Sequence, residues 1–508
     1  MRIGIDARCL QGTVRSGVEE YARTLLEELF RQDTENSYRL FANAWDASEL
    51  DFSWTEKYPH VSVRIFRWPN KLLNFCFWYL GWPKMDRMLG GVDLFFLPNL
   101  NFVALSRKTR LVVTAHDLSF ELFPETFSWK RRVWHFFVNF RNIVKRADRV
   151  IAISQSTADD LRAVYKTPER KIIVIPSGVR DVFRPISHND PSLLEIQSKY
   201  HLPYKFILSL GTIEPRKNLI ALLRAFETMH ASGHPELVKY FLVIAGEEGW
   251  NSEEFFECVR RSPVRERIIL TGFVADEDKP GLYSLANVFV YPSLYEGFGF
   301  PPLEAISCGV PVIVSHASAL PEVVGTSALL IDPYRPEEIL QALRQLLLSK
   351  ELQGVLRNIG PVQASRFSWP RTAQEVRDCF GAQESAISDT RGRRDDRGSE
   401  SRFPRKEYRS SVFSAPKPLI EDKRMESLKR QLDDVSAKVD RILHILDSKN
   451  VVESIETKQP KKKSDISEVR EAVRNIITDI KTAKKSAKKE ETDIEKKTVK
   501  KKPASKKA

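Results

Sequence analysis

Two α/β domains, each doubly wound around a parallel sheet, followed by a charged appendage, are what this sequence predicts. Three observations carry the prediction. Over the first 380 residues short apolar runs alternate with longer amphipathic stretches, the spacing of β-α units. Several of those runs are near-continuous Val, Ile and Leu, as strands buried on both faces are. A length of 508 residues exceeds one ordinary domain and suits two Rossmann-like domains facing a cleft, with a tail beyond them. Hydrophobic residues at 42% and aromatics at 10% exclude a wholly disordered, collagenous or disulfide-scaffold chain.

In the first series, strands are expected at residues 2–5, 92–97, 111–116, 150–153 and 172–175. The segment RSGVEEYARTLLEEL begins a helix after the first of them, with Gly17 in the turn, where a missing Cβ permits close approach of a ligand. A Pro-, Ser-, His- and Asn-rich stretch over 176–203 is expected to be the hinge. The second series falls at 206–210, 241–245, 268–270, 288–291, 312–315 and 329–331. In FSWPRTAQEVRDCF, Ser368 stands at an N-cap position with Pro370 early in the first turn, the start of a terminal helix. The domains so divided are 1–185 and 186–385.

Composition then changes. Residues 386–420 are charged and Ser-rich and predict a disordered linker. Met425, Leu428, Leu432, Val435, Val439, Ile442 and Leu446 form a heptad seam, predicting a coiled-coil helix over 421–449. A shorter seam at Ile466, Val469, Val473, Ile476 and Ile480 predicts a helix over 465–482, and 483–508 is a Lys-rich disordered tail. The formal charge of +13 belongs to this appendage: residues 391–508 carry 34 basic and 21 acidic side chains, residues 1–390 carry 46 of each. Net charge therefore does not direct the folded part toward nucleic acid. The tail is expected either to be solvated, to self-associate, or to bind polyanions.

Five scattered cysteines suggest neither a disulfide framework nor a zinc knuckle, and reduced cytosolic thiols are expected. The start, MRIGIDARCL, lacks the apolar region of a secretory signal, and no run of 18 apolar residues occurs, so a cytoplasmic location is expected.

The strongest local motif is LYEGFGFPPLEA. Glu296 lies on a strand-end loop and Glu304 on the following helix, so both carboxylates can face the crevice where open α/β sheets bind ligands. Carboxylates accept two hydroxyl hydrogen bonds at once, as sugars require, and the adjacent glycines Gly297 and Gly299 let backbone N–H groups approach phosphate. In LSLGTIEPRKNL a buried strand ends at Leu210, and Gly211 turns toward Arg216 and Lys217 before a helix begins. Two cations beside a helix N-terminus suit a diphosphate. VVTAHDLSFELFPE places His116 and Asp117 at another strand end. Asp276-Glu277-Asp278 is a D-x-D pattern, read here as an acidic helix N-terminus and not as a metal site.

Together IGIDAR, SGVEEY, HDLSFELFPE, IAISQST, IPSGV, GTIEPRKN, TGFV and EGFGFPPLEAISCGVPVIVS resemble glycosyltransferase family 4, the retaining nucleotide-sugar transferases of the GT-B fold, over about residues 1–380. The version here is most similar to bacterial mannosyltransferase-like members acting on surface polysaccharides. The resemblance implies an acceptor-side first domain and a nucleotide-sugar-binding second domain. Arg216 and Lys217 would hold the donor diphosphate, Glu304 the ribose hydroxyls and Glu296 the transferred sugar. Gly297, Phe298 and Gly299 would offer backbone N–H groups, and Gly211 and Leu303 would line the donor site. Gly17 would approach the phosphates from the first domain, and His116 the reacting carbon. Arg180 stands where the family commonly has an acid. The implied reaction is metal-independent hexosyl transfer, of mannose by analogy, from a GDP- or UDP-linked donor to a surface glycan or lipid-linked oligosaccharide. No cofactor is implied. The rival readings are another GT-B activity, epimerase or phosphorylase, and an idle GT-B scaffold whose tail recruits a partner.

Two further stretches, RIFRWPNKLLNFCFWYLGWPKMDRML and FSWKRRVWHFFVNFRNIVKR, mix aromatics with cations. Amphipathic core helices are the favoured reading, and contact with the inner membrane face is the other.

Overall fold

The computed structural model describes residues 1–11, 17–46, 50–187 and 189–381, so the linker, both seams and the Lys-rich end lie outside the described residues. The first sheet comprises β1 (Arg2–Asp6), β2 (Ser37–Asn43), β3 (Val61–Phe66), β4 (Leu94–Leu97), β5 (Arg110–Ala115), β6 (Arg149–Ala152) and β7 (Ile172–Val174). Its seven strands are ordered β3-β2-β1-β4-β5-β6-β7 and every pair is parallel. The second comprises β8 (Phe206–Leu210), β9 (Phe241–Ala245), β10 (Ile268–Gly272), β11 (Val288–Tyr291), β12 (Val312–Ser315) and β13 (Ala328–Ile331). These six are also parallel, in the order β10-β9-β8-β11-β12-β13. Strand order reverses between β1 and β4 and between β8 and β11, and such switch points open a crevice at the strands' carboxyl ends.

Two strands escape the sequence reading. In β2, SYRLFAN, and β3, VSVRIF, Ser and Arg interrupt the apolar run. β3 is an edge strand with no buried residue, so it lacks the continuous apolar signal of the central strands. The expected hinge also contains a helix, Pro191–Lys199, begun by the Asp190 side chain accepting from the Ser192 amide.

Each lobe is packed by amphipathic helices. Tyr21, Ala22, Leu25, Leu26 and Leu29 recur at helical spacing on one face of Gly17–Gln32 and bury against Ile3, Ile5 and Phe96. Leu222, Phe226 and Met229 do the same for Leu219–Ala231 against the second sheet. The aromatic-basic stretches each lay one apolar face on the first lobe's core, through Leu73, Phe77 and Met85 and through Val138, Phe140, Ile143 and Val144, and leave aromatics exposed on the other. Asn70–Phe75 buries only Leu73, its π-helical continuation Cys76–Leu80 buries Cys76 and Phe77, and Trp129–Val138 buries Val138 alone.

By sequence order the helix Trp369–Gly381 follows the second sheet, yet it crosses back to cover the first. The Phe380 ring meets Phe96 at 5.2 Å between centroids, and Arg110 Nη1 donates to the Phe380 carbonyl at 3.0 Å. Gln32 Nε2 donates to the Pro370 carbonyl at 2.9 Å, and the Thr372 hydroxyl donates to that of Pro176 at 2.7 Å. The crossing requires Gly178, where an added Cβ would lie 2.3 Å from the Trp369 amide nitrogen. Gly178→Ala is expected to lower stability by about 1–3 kcal/mol, since backbone cannot yield cheaply there. Gly354→Ala, on the helix Lys350–Ala364 with nothing within 4 Å of the added carbon, should instead raise it by up to about 1 kcal/mol. Urea melts of both variants check the pair, and equal shifts would remove the Trp369 crossing from the determinants of stability.

Candidate active site

The loop after β8 and the loop after β11 meet because β8 and β11 are hydrogen-bonded neighbours across the switch point. Gly211 leaves β8 at φ 144°, and Gly246, at φ 139°, packs so closely that a Cβ there would sit 2.1 Å from the Gly211 carbonyl oxygen. Only glycine fits such a crossing. The chain then makes the short turn Pro215–Lys217, and Asn218 at φ 56° starts the helix Leu219–Ala231. From β11 the loop runs to Gly299, at φ 109°, which begins the helix Phe300–Ser307.

These loops bring together the predicted acid and both predicted cations. Glu296 Oε2 lies 2.8 Å from Arg216 Nη1 and its Oε1 lies 2.7 Å from Lys217 Nζ. The Glu296 amide donates to Ser318 Oγ at 2.7 Å, fixing the loop. Arg216 also holds Glu214 Oε1 at 2.6 Å and donates to the Tyr295 carbonyl at 2.7 Å, while Lys217 donates to the Tyr291 hydroxyl. Glu296 is 7% exposed, so the cluster is nearly dry. Burial opposes ionisation of Glu296, but Arg216 and Lys217 outweigh it and hold the carboxyl at about 2. Arg216 stays firmly charged because Glu296 and Glu214 overcome its own desolvation. Glu214 is the acid that spacing did not single out, although it stands inside GTIEPRKN. Its second oxygen is buried without a hydrogen-bond partner among the described residues.

The first lobe supplies the facing wall. His116 follows β5, and its Nε2 donates to the Pro98 carbonyl at 2.8 Å, which places the proton on that nitrogen. Burial lowers its pKa against the pull of the Pro98 carbonyl and Asp117, and Tyr21 stands edge-on to the ring at 4.8 Å. A Cβ on Gly297 would lie 1.9 Å from the His116 carbonyl oxygen, so the lobes touch here and no larger residue is accommodated. Gly17 opens the helix Gly17–Gln32, and its Cβ position is 3.8 Å from the Phe300 ring, at the first turn of the second lobe's helix. His116 thus meets the loop that carries Glu296, and Gly17 meets the first residue of the helix that follows that loop.

Glu304 lies further along the helix Phe300–Ser307, facing Glu20 of the first lobe. It is 4% exposed and accepts from the Tyr283 hydroxyl at 2.8 Å. Its electrostatic neighbours are Glu20, Lys279 and Arg180, with Arg180 paired to Glu20 at 2.8 Å. Arg180, the departure from the family's common acid, therefore serves to neutralise a first-lobe glutamate. Phe298 turns its side chain to Phe300 and Phe367, with centroids at 5.4 and 5.6 Å. Leu303 is wholly buried and its amide donates to the Gly299 carbonyl, so neither its side chain nor its N–H is left for a ligand. In the D-x-D segment, Asp276 pairs with Lys279 at 2.5 Å and Asp278 with Lys199 at 2.7 Å.

Burial and then Glu20 push Glu304 up to about 7, against Lys279, Tyr283 and Arg180. With a folded value near 7 and an ordinary value of 4.5, the native state binds the extra proton between them. Stability from this group is present below the lower value and is lost as pH rises through the higher. Urea midpoints of wild type relative to Glu304→Gln should therefore fall as pH rises across that window and level off above it; a difference independent of pH would contradict the assignment.

Residues 15–182 match the family model "Glycosyltransferase Family 4", and residues 195–362 match "Glycosyl transferases group 1". The chain is 34% identical over 281 residues to O-antigen chain mannosyltransferase B of Escherichia coli, covering 55% of this chain and 72% of that one. It is 32% identical over 283 residues to the serotype-specific mannosyltransferase WbdA of the same species, where it spans only 33% of the longer protein. Among solved structures, Anabaena HepE in complex with UDP and glucose superposes with a TM-score of 0.57 at 19% identity, covering 75% of this chain and 99% of that one. The fold is GT-B, and the chain belongs to the family 4 glycosyltransferases.

Proposed function

We propose that this glycosyltransferase moves a mannosyl group, with retention of anomeric configuration, from a nucleoside-diphosphate sugar to a surface glycan or lipid-linked oligosaccharide. The observation that carries the reading is the Arg216–Glu296–Lys217 cluster at the β8/β11 switch point, facing His116 across a contact only Gly297 allows. Supporting the sugar are the mannosyltransferases among its relatives, and supporting the donor class is the nucleotide bound to the similar HepE structure.

The chemistry follows from charge exchange. A diphosphate entering the crevice competes with Glu296 for Arg216 and Lys217, and the helix beginning at Phe300 adds its N-terminal field. Glu296, released from the cations, is free to accept hydroxyl hydrogen bonds from the sugar. Both cations then bear on the oxygen where charge develops as the diphosphate leaves, in a site that is largely desolvated. The neutral His116 and the Gly297 contact close the crevice on the first-lobe side, which orients the acceptor toward the face the diphosphate vacates. Glu304 is assigned to the ribose hydroxyls and needs its ionised form to accept both.

Nucleoside diphosphates should raise the thermal midpoint, GDP more than UDP, because a ligand that binds only the native state stabilises it. A UDP-only shift would overturn the mannosyl assignment. Lys217→Ala should lower turnover at saturating donor by about 10²–10³-fold, the scale of losing one preorganised charge. Turnover equal to wild type would remove Lys217 from the leaving-group site. Full activity in excess EDTA, and a product whose anomeric NMR coupling matches the donor's, are the companion expectations.

A further inference from the structure

We propose that the first lobe rests on an anionic lipid bilayer through a face built by Asn70–Phe75, its continuation Cys76–Leu80 and the helix Trp129–Val138. The proposal does not depend on which sugar is transferred. Phe75, Trp78, Tyr79 and Trp82 project from the first segment and Trp129 and Phe136 from the second; Trp82 is 58% and Phe136 77% exposed. The two segments form one surface, since the Trp78 ring meets Phe137 at 4.9 Å between centroids. So much exposed aromatic area on one face calls for a partner.

Charge selects which one. Residues 64–84 contain Arg64, Arg67, Lys71 and Lys84 and no acid, and residues 127–147 contain six Lys or Arg and no acid. The first 390 residues hold 46 acids and 46 bases, so these acid-free windows stand out. Arg131 stacks over Trp250, and Arg141 and Arg146 bond the Val164, Ser106 and Thr109 carbonyls. That leaves Arg64, Arg67, Lys71, Lys84, Lys130, Arg132 and Lys145 as the cations in the same windows as the exposed aromatics. Trp and Tyr favour the headgroup level of a bilayer, and Lys and Arg favour its anionic lipids. A second copy of the chain would set these cations against one another. No helix among the described residues is long and apolar enough to cross a membrane, so the face lies on the surface.

The face is also tied to the carboxyl end of β1. Arg8, just past β1, reaches Asn74 Oδ1 at 3.3 Å and the Phe102 carbonyl at 2.6 Å, and its guanidinium lies 5.5 Å from the Phe77 ring centroid.

The test uses the full chain with vesicles of phosphatidylethanolamine and phosphatidylglycerol carrying brominated acyl chains. All nine tryptophans lie within residues 45–369, so quenching reports the folded part and is blind to binding by the Lys-rich end. Tryptophan fluorescence should be quenched by these vesicles and much less by zwitterionic ones. Phe75→Ser with Phe136→Ser, which removes no tryptophan, should weaken partitioning about tenfold or more, because interfacial binding scales with buried apolar area. Lys71→Glu with Lys130→Glu serves as a second, independently folded variant and should abolish the preference for anionic lipid. Flotation without quenching would assign binding to the tail and overturn the proposal. Quenching unchanged in both variants would overturn it too, as would a vesicle-free oligomer or a protein complex that the Phe variants disperse.

Discussion

The site depends on a carboxylate forced to be an anion where water is scarce. Glu296 remains ionised only because Arg216 and Lys217 each approach one of its oxygens, and those cations tolerate burial only because Glu296 and Glu214 neutralise them. Removing one member of such a cluster leaves another uncompensated, so the four side chains act as a unit. That mutual dependence also sets a condition on any competing anion: a Glu296 released from Arg216 and Lys217 needs other hydrogen-bond donors, or its buried charge is stranded.

Backbone, more than side chains, sets where this happens. The Gly246–Gly211 and Gly297–His116 contacts are closer than any Cβ allows, and each lies at the carboxyl end of a strand next to a switch point. The first brings the β8 loop to its place within the second lobe, and the second brings the lobes together over the site. At the far side, Trp369–Gly381 returns to the first sheet over Gly178. The cleft is thus bounded by close glycine contacts and bridged by a helix docked through Phe380 and Arg110.

The surface carries a second division of labour. Overall neutrality of the folded part conceals a cationic, aromatic face on the first lobe, unlike the paired acids and cations around Glu296 and Glu304. Net charge over a long stretch says little about either, because each is a local arrangement that the sum cancels.

Central strands, their switch-point loops and the residues on them were legible from sequence because burial on both faces writes a continuous apolar run, and glycine with charge after such a run marks a ligand loop. Arg216, Lys217 and Glu296 could be named in this way. β2 and β3 were not, since mixed polarity and an exposed edge erase the pattern. Nor could spacing tell that Leu303 would be spent on the core, that Glu20 would be the neighbour that loads Glu304, or which aromatics of the amphipathic helices would stay exposed. Those outcomes depend on which surfaces meet when distant segments pack. Linear order names the groups that can carry charge and the places where strands end; the packing of distant segments settles which charges face each other, because Coulomb energy depends on distances that the order does not contain.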